Sequence, residues 1–359
     1  MTSHSIVRPP AWRAAVYVLI FAALISAAYF GMPATAHADG DVNIYTYREP
    51  GLIRPLIEAF EAKTGIKAHT VFDKDGLIER ATAEAENSPA DVILTNEFGL
   101  LIQAKDAGIT GKLDTPELAK EVPAAYRDPD GEWVGLTRRA RIVYASKERV
   151  AENAISYEDL ADPKWKGRIC TRSGQHTYTI GLLSSMIAHH GLEFAETWAK
   201  ALRDNLARKP SGGDREQVQA VYAGECDLAI GNTYYMKQML TDDKQPEQKA
   251  WANSVKLLFP NAGDRGTHVN ISGAVILKNA PNRANGLALI AFLASPEGQA
   301  IYASANGEYP IDDRQPASDL VRSWGELKAD PLPLAEMAKH RKEASEMMDR
   351  IGFDQGPAS

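Results

Sequence analysis

The apolar positions of the chain switch repeatedly between a period of two and a helical period. From Asp41 to Tyr47 the chain reads as a strand, and from Leu52 to Thr64 the apolar residues Leu52, Ile53, Leu56, Ile57 and Phe60 fall on one helical face that stops at Gly65. The same rhythm continues. Ile66 to Phe72 predicts a strand, Gly76 to Asn87 a helix, Asp91 to Thr95 a buried strand, and Phe98 to Ala107 a helix ended by Gly108. Strands alternating with helices of this length predict an α/β fold built on a parallel, doubly wound sheet.

After the turn Asp128-Pro129-Asp130-Gly131, a strand from Arg138 to Ser146 is placed to carry the chain out of this first lobe. A second series follows: a short helix at Tyr157 to Leu160, a strand at Gly167 to Thr171, and helices at Tyr178 to His190, Glu193 to Leu206 and Arg215 to Ala223. Next come the strand opening at Asp227 and strands at Val255 to Phe259 and Val269 to Leu277, the last a candidate return crossing. Leu334 to Ile351 predicts one amphipathic helix. We therefore expect an N-terminal lobe of residues 39–137 plus 268–313 and a C-terminal lobe of residues 138–267 plus 314–359. Two such lobes leave a cleft outside the strand ends, where open sheets bind ligands.

The N-terminus adds a compartment. Arg8 and Arg13 precede the apolar run Ala14 to Met32, and Ala36-His37-Ala38 before Asp39 fits signal peptidase cleavage. Residues 1–38 are expected to be a cleaved signal peptide, with an uncleaved anchor as the alternative. The remainder, about 320 residues, is long enough for two cores. A net charge of -7 gives no broad basic field, which argues against nucleic acid as a partner. In an oxidising compartment the two cysteines, Cys170 and Cys226, are expected to pair; two buried thiols are the alternative.

The candidate chemistry lies in the stretch DLAIGNTYYMKQML, Asp227 to Leu240. Asn232 or Thr233 as N-cap would place Tyr234 and Tyr235 together in the first turn of a helix, whose positive end favours phenolate. Tyr178 stands at a similar strand-to-helix junction after Gly174 and Thr177. Ionising three tyrosines at pH 7 costs about 12 kcal/mol, which a hard, acidic trivalent ion such as Fe(III) can offset and ordinary divalent ions seldom do. On composition alone the tyrosine pair also reads as half-buried packing.

The segments GRICTRSGQHTYTIGLLSSMIAHHG, GECDLAIGNTYYMKQML, VNIYTYREP, NSPADVILT, RRARIVYAS, VNISGAVILKNAPN and LASPEGQ resemble the periplasmic ferric-ion-binding proteins, the substrate-binding subunits of ABC iron importers. The likeness covers essentially the whole chain after the leader. It implies a two-lobe periplasmic binding protein fold, each lobe a mixed, mainly parallel sheet flanked by helices, with a hinge of crossing strands. It implies Fe(III) held in the cleft by phenolates at Tyr178, Tyr234 and Tyr235. It also implies a monomer in the periplasm that delivers iron to an inner-membrane ABC permease and catalyses nothing.

The chain departs from part of the family at Tyr47-Arg48-Glu49-Pro50, where some relatives carry a His-Tyr pair after the matching arginine. Two readings follow. Glu49 supplies a carboxylate oxygen, or Arg48 and Arg139 hold a synergistic carbonate-like anion in their guanidinium forks. Arg138, Arg139 and Arg141 mark the crossing strand, with Arg139 assigned to the face opposite the other two. Lys237 is a candidate for balancing excess negative charge, His176 is read mainly as an exposed loop histidine, and Ser211 to Asp214 as a capping or anion-binding loop. Two rivals remain. One is the same fold binding an organic anion, phosphonate or sugar without metal; the other is an Fe(III)-tyrosinate oxygenase, which the lack of ligand-spaced histidines opposes.

Overall fold

The computed structural model describes Met1 and residues 40–357. The leader and its Ala36-His37-Ala38 motif lie outside the described residues. Among the described residues no helix is long and apolar enough to cross a membrane.

Among the described residues nine strands form the framework: β1 (Asp41–Thr46), β2 (Lys67–Phe72), β3 (Val92–Thr95), β4 (Val134–Ser146), β5 (Ile169–Cys170), β6 (Leu228–Asn232), β7 (Val255–Leu258), β8 (Val269–Ile276) and β9 (Tyr309–Pro310). They pair in the order β2-β1-β3-β8-β4-β6-β5, with β7 and β9 also on β4. Parallel pairs join β1 to β2 and β3, and β5 to β6. These are the strands separated by helices, as parallel pairing requires. Every antiparallel pair involves β4 or β8.

β4 organises the molecule. Its 13 residues are all buried, so both faces are covered. From Val134 to Ala140 it pairs with β8, and from Arg141 to Ala145 with β6. The chain thus passes within one strand from one hydrophobic cluster to the next. The first cluster includes Ile44, Phe60, Phe98, Trp133 and Leu289. A second gathers Trp165, Leu183, Met186, Trp198 and Phe353. A third includes Tyr144, Val218 and Met239 around Cys170 and Cys226, which form the expected disulfide.

Several elements differ from expectation for identifiable reasons. β4 begins at Val134, four residues before Arg138, because β8 continues to supply partners there. The tail is two helices, Leu334–Lys339 and Arg341–Arg350, not one. Leu334 and Met337 pack into the first cluster while Ala344, Met347 and Met348 pack into the second, and the chain turns at His340 to serve both. Helices Arg283–Ala294 and Pro296–Asn306 were not anticipated. The second is announced by Ser295, whose hydroxyl accepts from the Gly298 N–H, with Pro296 in the first turn.

Candidate metal centre

β6 ends where its pairing with β4 ends, at Asn232 opposite Arg141, and the helix Tyr234–Thr241 starts two residues on. Thr233 already has helical dihedrals and its hydroxyl caps nothing. The expected Asn or Thr side-chain cap is therefore absent: the Asn232 side chain accepts from Arg141 instead, at 3.2 Å. Both phenols nevertheless sit in the first turn. The helix Thr177–His190 starts differently, with His176 Nδ1 accepting from the Tyr178 N–H at 3.1 Å and its ring edge-on to Tyr178 at 4.6 Å. His176 is thus a half-buried capping residue, not an exposed loop histidine.

The Tyr178 and Tyr234 hydroxyls lie 3.2 Å apart, and the rings of Tyr234 and Tyr235 stack with centroids 4.2 Å apart. All three line one cleft of about 740 Å³, whose opposite wall carries Arg48, Glu49 and Asn96. Burial, then the neighbouring Tyr178 and Tyr235 phenols, push the Tyr234 hydroxyl well above the ordinary tyrosine range. Tyr235 is raised by burial first, then by Asp214 and Tyr178. Both phenols hold their protons at neutral pH, and removing them costs more than the roughly 4 kcal/mol of a free tyrosine. Among the described residues no group of three or more His, Cys, Asp or Glu is placed to hold a metal.

Two arginine-carboxylate groups flank the phenols. Arg48 donates to both oxygens of Glu308, at 2.8 and 3.0 Å, and to Ser272. Arg139 donates to Ser272 at 2.7 Å and stands 3.8 Å from Glu308, which also accepts from the Thr137 hydroxyl. Burial alone would raise Glu308, but the two arginines hold it below the usual carboxylate range. In the second group Arg141 and Arg172 share Asp214 at 2.8 and 3.1 Å, and the Asn232 N–H donates to the same carboxylate. Two guanidiniums against one carboxylate leave one positive charge in each group.

Arg139, Arg141 and Arg172 lie 5.7, 5.8 and 5.3 Å from the centre of the Tyr178 ring. Arg139 and Arg141 therefore share a face, which corrects the expectation that Arg141 sides with Arg138; residues two apart on a strand must point the same way. Arg138 alone faces away, donating to the Pro310 carbonyl and to Asp313.

Glu49 lies exposed at the cleft rim, just before the helix Pro50–Thr64. The Tyr47 hydroxyl accepts from the Ile78 N–H at 2.9 Å. Lys237 donates to the Ala305 carbonyl and does not line the cleft, so it is not the balancing cation. In the Ser211 to Asp214 loop the Gly213 N–H donates to Glu216, a capping role. Sequence reasoning missed Glu308, Arg172 and the ion-pairing role of Asp214. The run Gly307-Glu308-Tyr309 carries no local signal, because Glu308 reaches the arginines only through the pairing of β9 with β4.

The fold and the tyrosine-lined cleft define a solute-binding protein of the two-lobe periplasmic type. The chain belongs to the bacterial extracellular solute-binding protein family, whose model matches residues 87–327. It is 41% identical over 315 residues to iron uptake protein A1 of Synechocystis, covering 87% of each chain. Among solved structures it is similar to Mannheimia haemolytica ferric iron-binding protein A in an open conformation. That match has 43% identity, a TM-score of 0.84 and coverage of 88% of this chain and 99% of that one. It is also similar to the Trichodesmium IdiA (FutA) protein in complex with iron and citrate, at 39% identity and TM-score 0.84, covering 88% and 100%.

Proposed function

We propose that this chain is the periplasmic receptor of an iron(III) importer. A signal peptide ending near Ala38 exports it, and it works as a monomer that captures Fe(III) and presents it to an inner-membrane ABC permease, catalysing no reaction. Tyr178, Tyr234 and Tyr235 supply phenolate oxygens. A carbonate-like anion near Arg48 and Arg139, sharing those arginines with Glu308, completes the coordination from the opposite wall, with the Glu49 carboxylate as the alternative ligand. The lobes, residues 39–137 with 268–313 and residues 138–267 with 314–359, close over the ion and open to release it.

The observation that carries this reading is the convergence of the three tyrosines, with two hydroxyls 3.2 Å apart, in one cleft. Three phenolates cancel the charge of a ferric ion, and the iron-binding relatives share the fold. The test is a titration of the purified mature protein with ferric citrate. A phenolate-to-iron charge-transfer colour is expected in the wild type, with strong loss in both Tyr234→Phe and Tyr235→Phe. A colourless wild type rules the reading out.

A further inference from the structure

The helix Arg341–Arg350 opens with a cation, although a positive charge in the first turn opposes the helix dipole. Local structure therefore gives no reason for an arginine here. Its contacts supply one: Arg341 Nη1 donates to Glu97 Oε1 and Nη2 to Thr177 Oγ1, both at 2.9 Å.

The two acceptors belong to different cores. Glu97 immediately precedes the helix Phe98–Asp106, whose Phe98 and Leu101 pack in the first hydrophobic cluster. Thr177 opens the helix that carries Tyr178, whose Leu183 and Met186 pack in the second. One planar guanidinium fork spans them. Glu97 is 4% exposed, and its Oε1 also accepts from the Asn270 side chain of β8 at 3.2 Å. Asn270 is fixed in turn, its side-chain oxygen accepting from the Phe98 N–H at 3.0 Å. The helix surface leaves room for the pair only because residue 99 is glycine: a Cβ there would stand 2.6 Å from Glu97 Oε2 and 2.7 Å from Arg341 Cζ.

The same tail grips the loop that leads into Tyr178. Gln175 donates to the Ser345 carbonyl at 2.9 Å and to Asp349 at 2.7 Å. Asp354 accepts from the Ser173 hydroxyl and from the Gly174 N–H, both at 2.6 Å. The loop is thus held along its length by the tail, and Arg341 passes that hold across to Glu97. Beside the bridge lies a cavity of about 500 Å³, lined in part by Glu97, Thr177 and Arg341, which shares Tyr47, Asn96 and Tyr178 with the metal cleft. The bridge therefore stands at one end of the cleft itself.

We infer that Arg341 is a positioning residue of the metal centre: by joining Glu97 to Thr177 it sets where the Tyr178 phenol stands relative to the opposite wall, and retention of the metal depends on it. The part concerning retention rests on Tyr178 being an iron ligand, as proposed above. The bridge and its hold on the loop do not.

Hydrogen-exchange mass spectrometry of the metal-free protein reads the bridge without iron. In Arg341→Met and in Glu97→Gln the backbone amides of residues 173–180 should exchange roughly fivefold faster than in wild type, the loss of about one partly exposed charge-assisted bond. The double variant should exchange no faster than Arg341→Met alone. Gly99→Ala separates the bridge from general destabilisation: alanine favours the helix, yet its Cβ should displace the pair and speed exchange of the same amides. In iron-loaded protein these variants should shift the charge-transfer maximum and release iron to a competing chelator roughly fivefold faster. Additive effects in the double variant, or wild-type exchange in Arg341→Met or Gly99→Ala, overturn the bridge. Faster exchange with wild-type colour and release overturns its link to the metal. A wild type that takes up no iron overturns the iron reading and the retention claim with it, while the exchange result still decides the bridge.

Discussion

Replacing Glu308 by Gln tests whether the cleft arginines are held by the protein's own carboxylate. Glu308 is 1% exposed, accepts from Arg48 at 2.8 and 3.0 Å and lies 3.8 Å from Arg139. Glutamine keeps the shape, but its amide nitrogen must face a guanidinium, so one of the two Arg48 bonds is lost. The group then carries two positive charges in place of one. Removing one partner of a buried ion pair costs about 3–5 kcal/mol. With an unfolding entropy near 2 cal/mol/K per residue over about 320 residues, that corresponds to a Tm lower by roughly 5–8 °C.

Calorimetry of the metal-free protein at pH 7 measures the shift directly. A second arm adds bicarbonate. In Glu308→Gln the freed arginines should bind the anion, and at 100 times its Kd this returns about 2.7 kcal/mol, around half or more of the loss. Metal-free wild type, with Arg48 already engaged by Glu308, should respond little. The reasoning is refuted if the variant melts within about 1 °C of wild type, or if bicarbonate stabilises both proteins equally.

Three further outcomes are expected. Reducing the Cys170–Cys226 bond, which closes a separation of 56 residues, should cost about 4 kcal/mol in urea unfolding, and an unchanged midpoint would contradict the loop-entropy argument. His268 is fully buried and burial pushes it down to about 4, so between pH 6.5 and 4 the unfolded chain binds a proton that the folded one refuses. Stability from this group is complete above pH 6.5 and falls by about 3 kcal/mol on going to pH 4; His268→Gln should flatten that slope in pH-dependent unfolding. Finally, iron uptake should release about three protons per ion and weaken as pH falls, read by pH-stat titration; uptake without proton release would contradict phenolate ligation.

Much of the fold was legible because one period gives way to another at defined punctuation. Gly65 does end a helix, and the Asn232 to Tyr235 junction does turn a buried strand into a helix. The side-chain cap proposed there failed because Arg141, 91 residues away in sequence, competes for the Asn232 oxygen. The face of Arg141 was legible and was assigned against the period of two. The break at His340 was not, since Leu334, Met337, Ala344 and Met348 sit on one helical stripe and only the presence of two separate clusters divides it. Glu308 and Asp214 were invisible as ion-pair partners for the same reason: each acts through a strand register or a helix packing that no local pattern encodes.

The arrangement of charge around the tyrosines bears on which ion the cleft can hold. Burial raises both Tyr234 and Tyr235, helped by Tyr178 and Tyr235 at the first and by Asp214 and Tyr178 at the second, so these two phenols rest neutral and present no ready-made anion to a passing cation. On the proposed ligand set a metal must first displace the protons, at about 4 kcal/mol per phenol and more where burial adds to it. A hard trivalent ion meets that cost through strong bonds to phenolate, while weakly acidic divalent ions do not. The arginine-carboxylate groups act in the other direction. Their two residual positive charges lie against the Tyr178 ring, and Arg139 opposes the upward shift of Tyr234 as Arg172 opposes that of Tyr235. Discrimination on this view comes from the energy of proton removal more than from the dimensions of the cleft, which at about 740 Å³ is far too large to size-select a single ion.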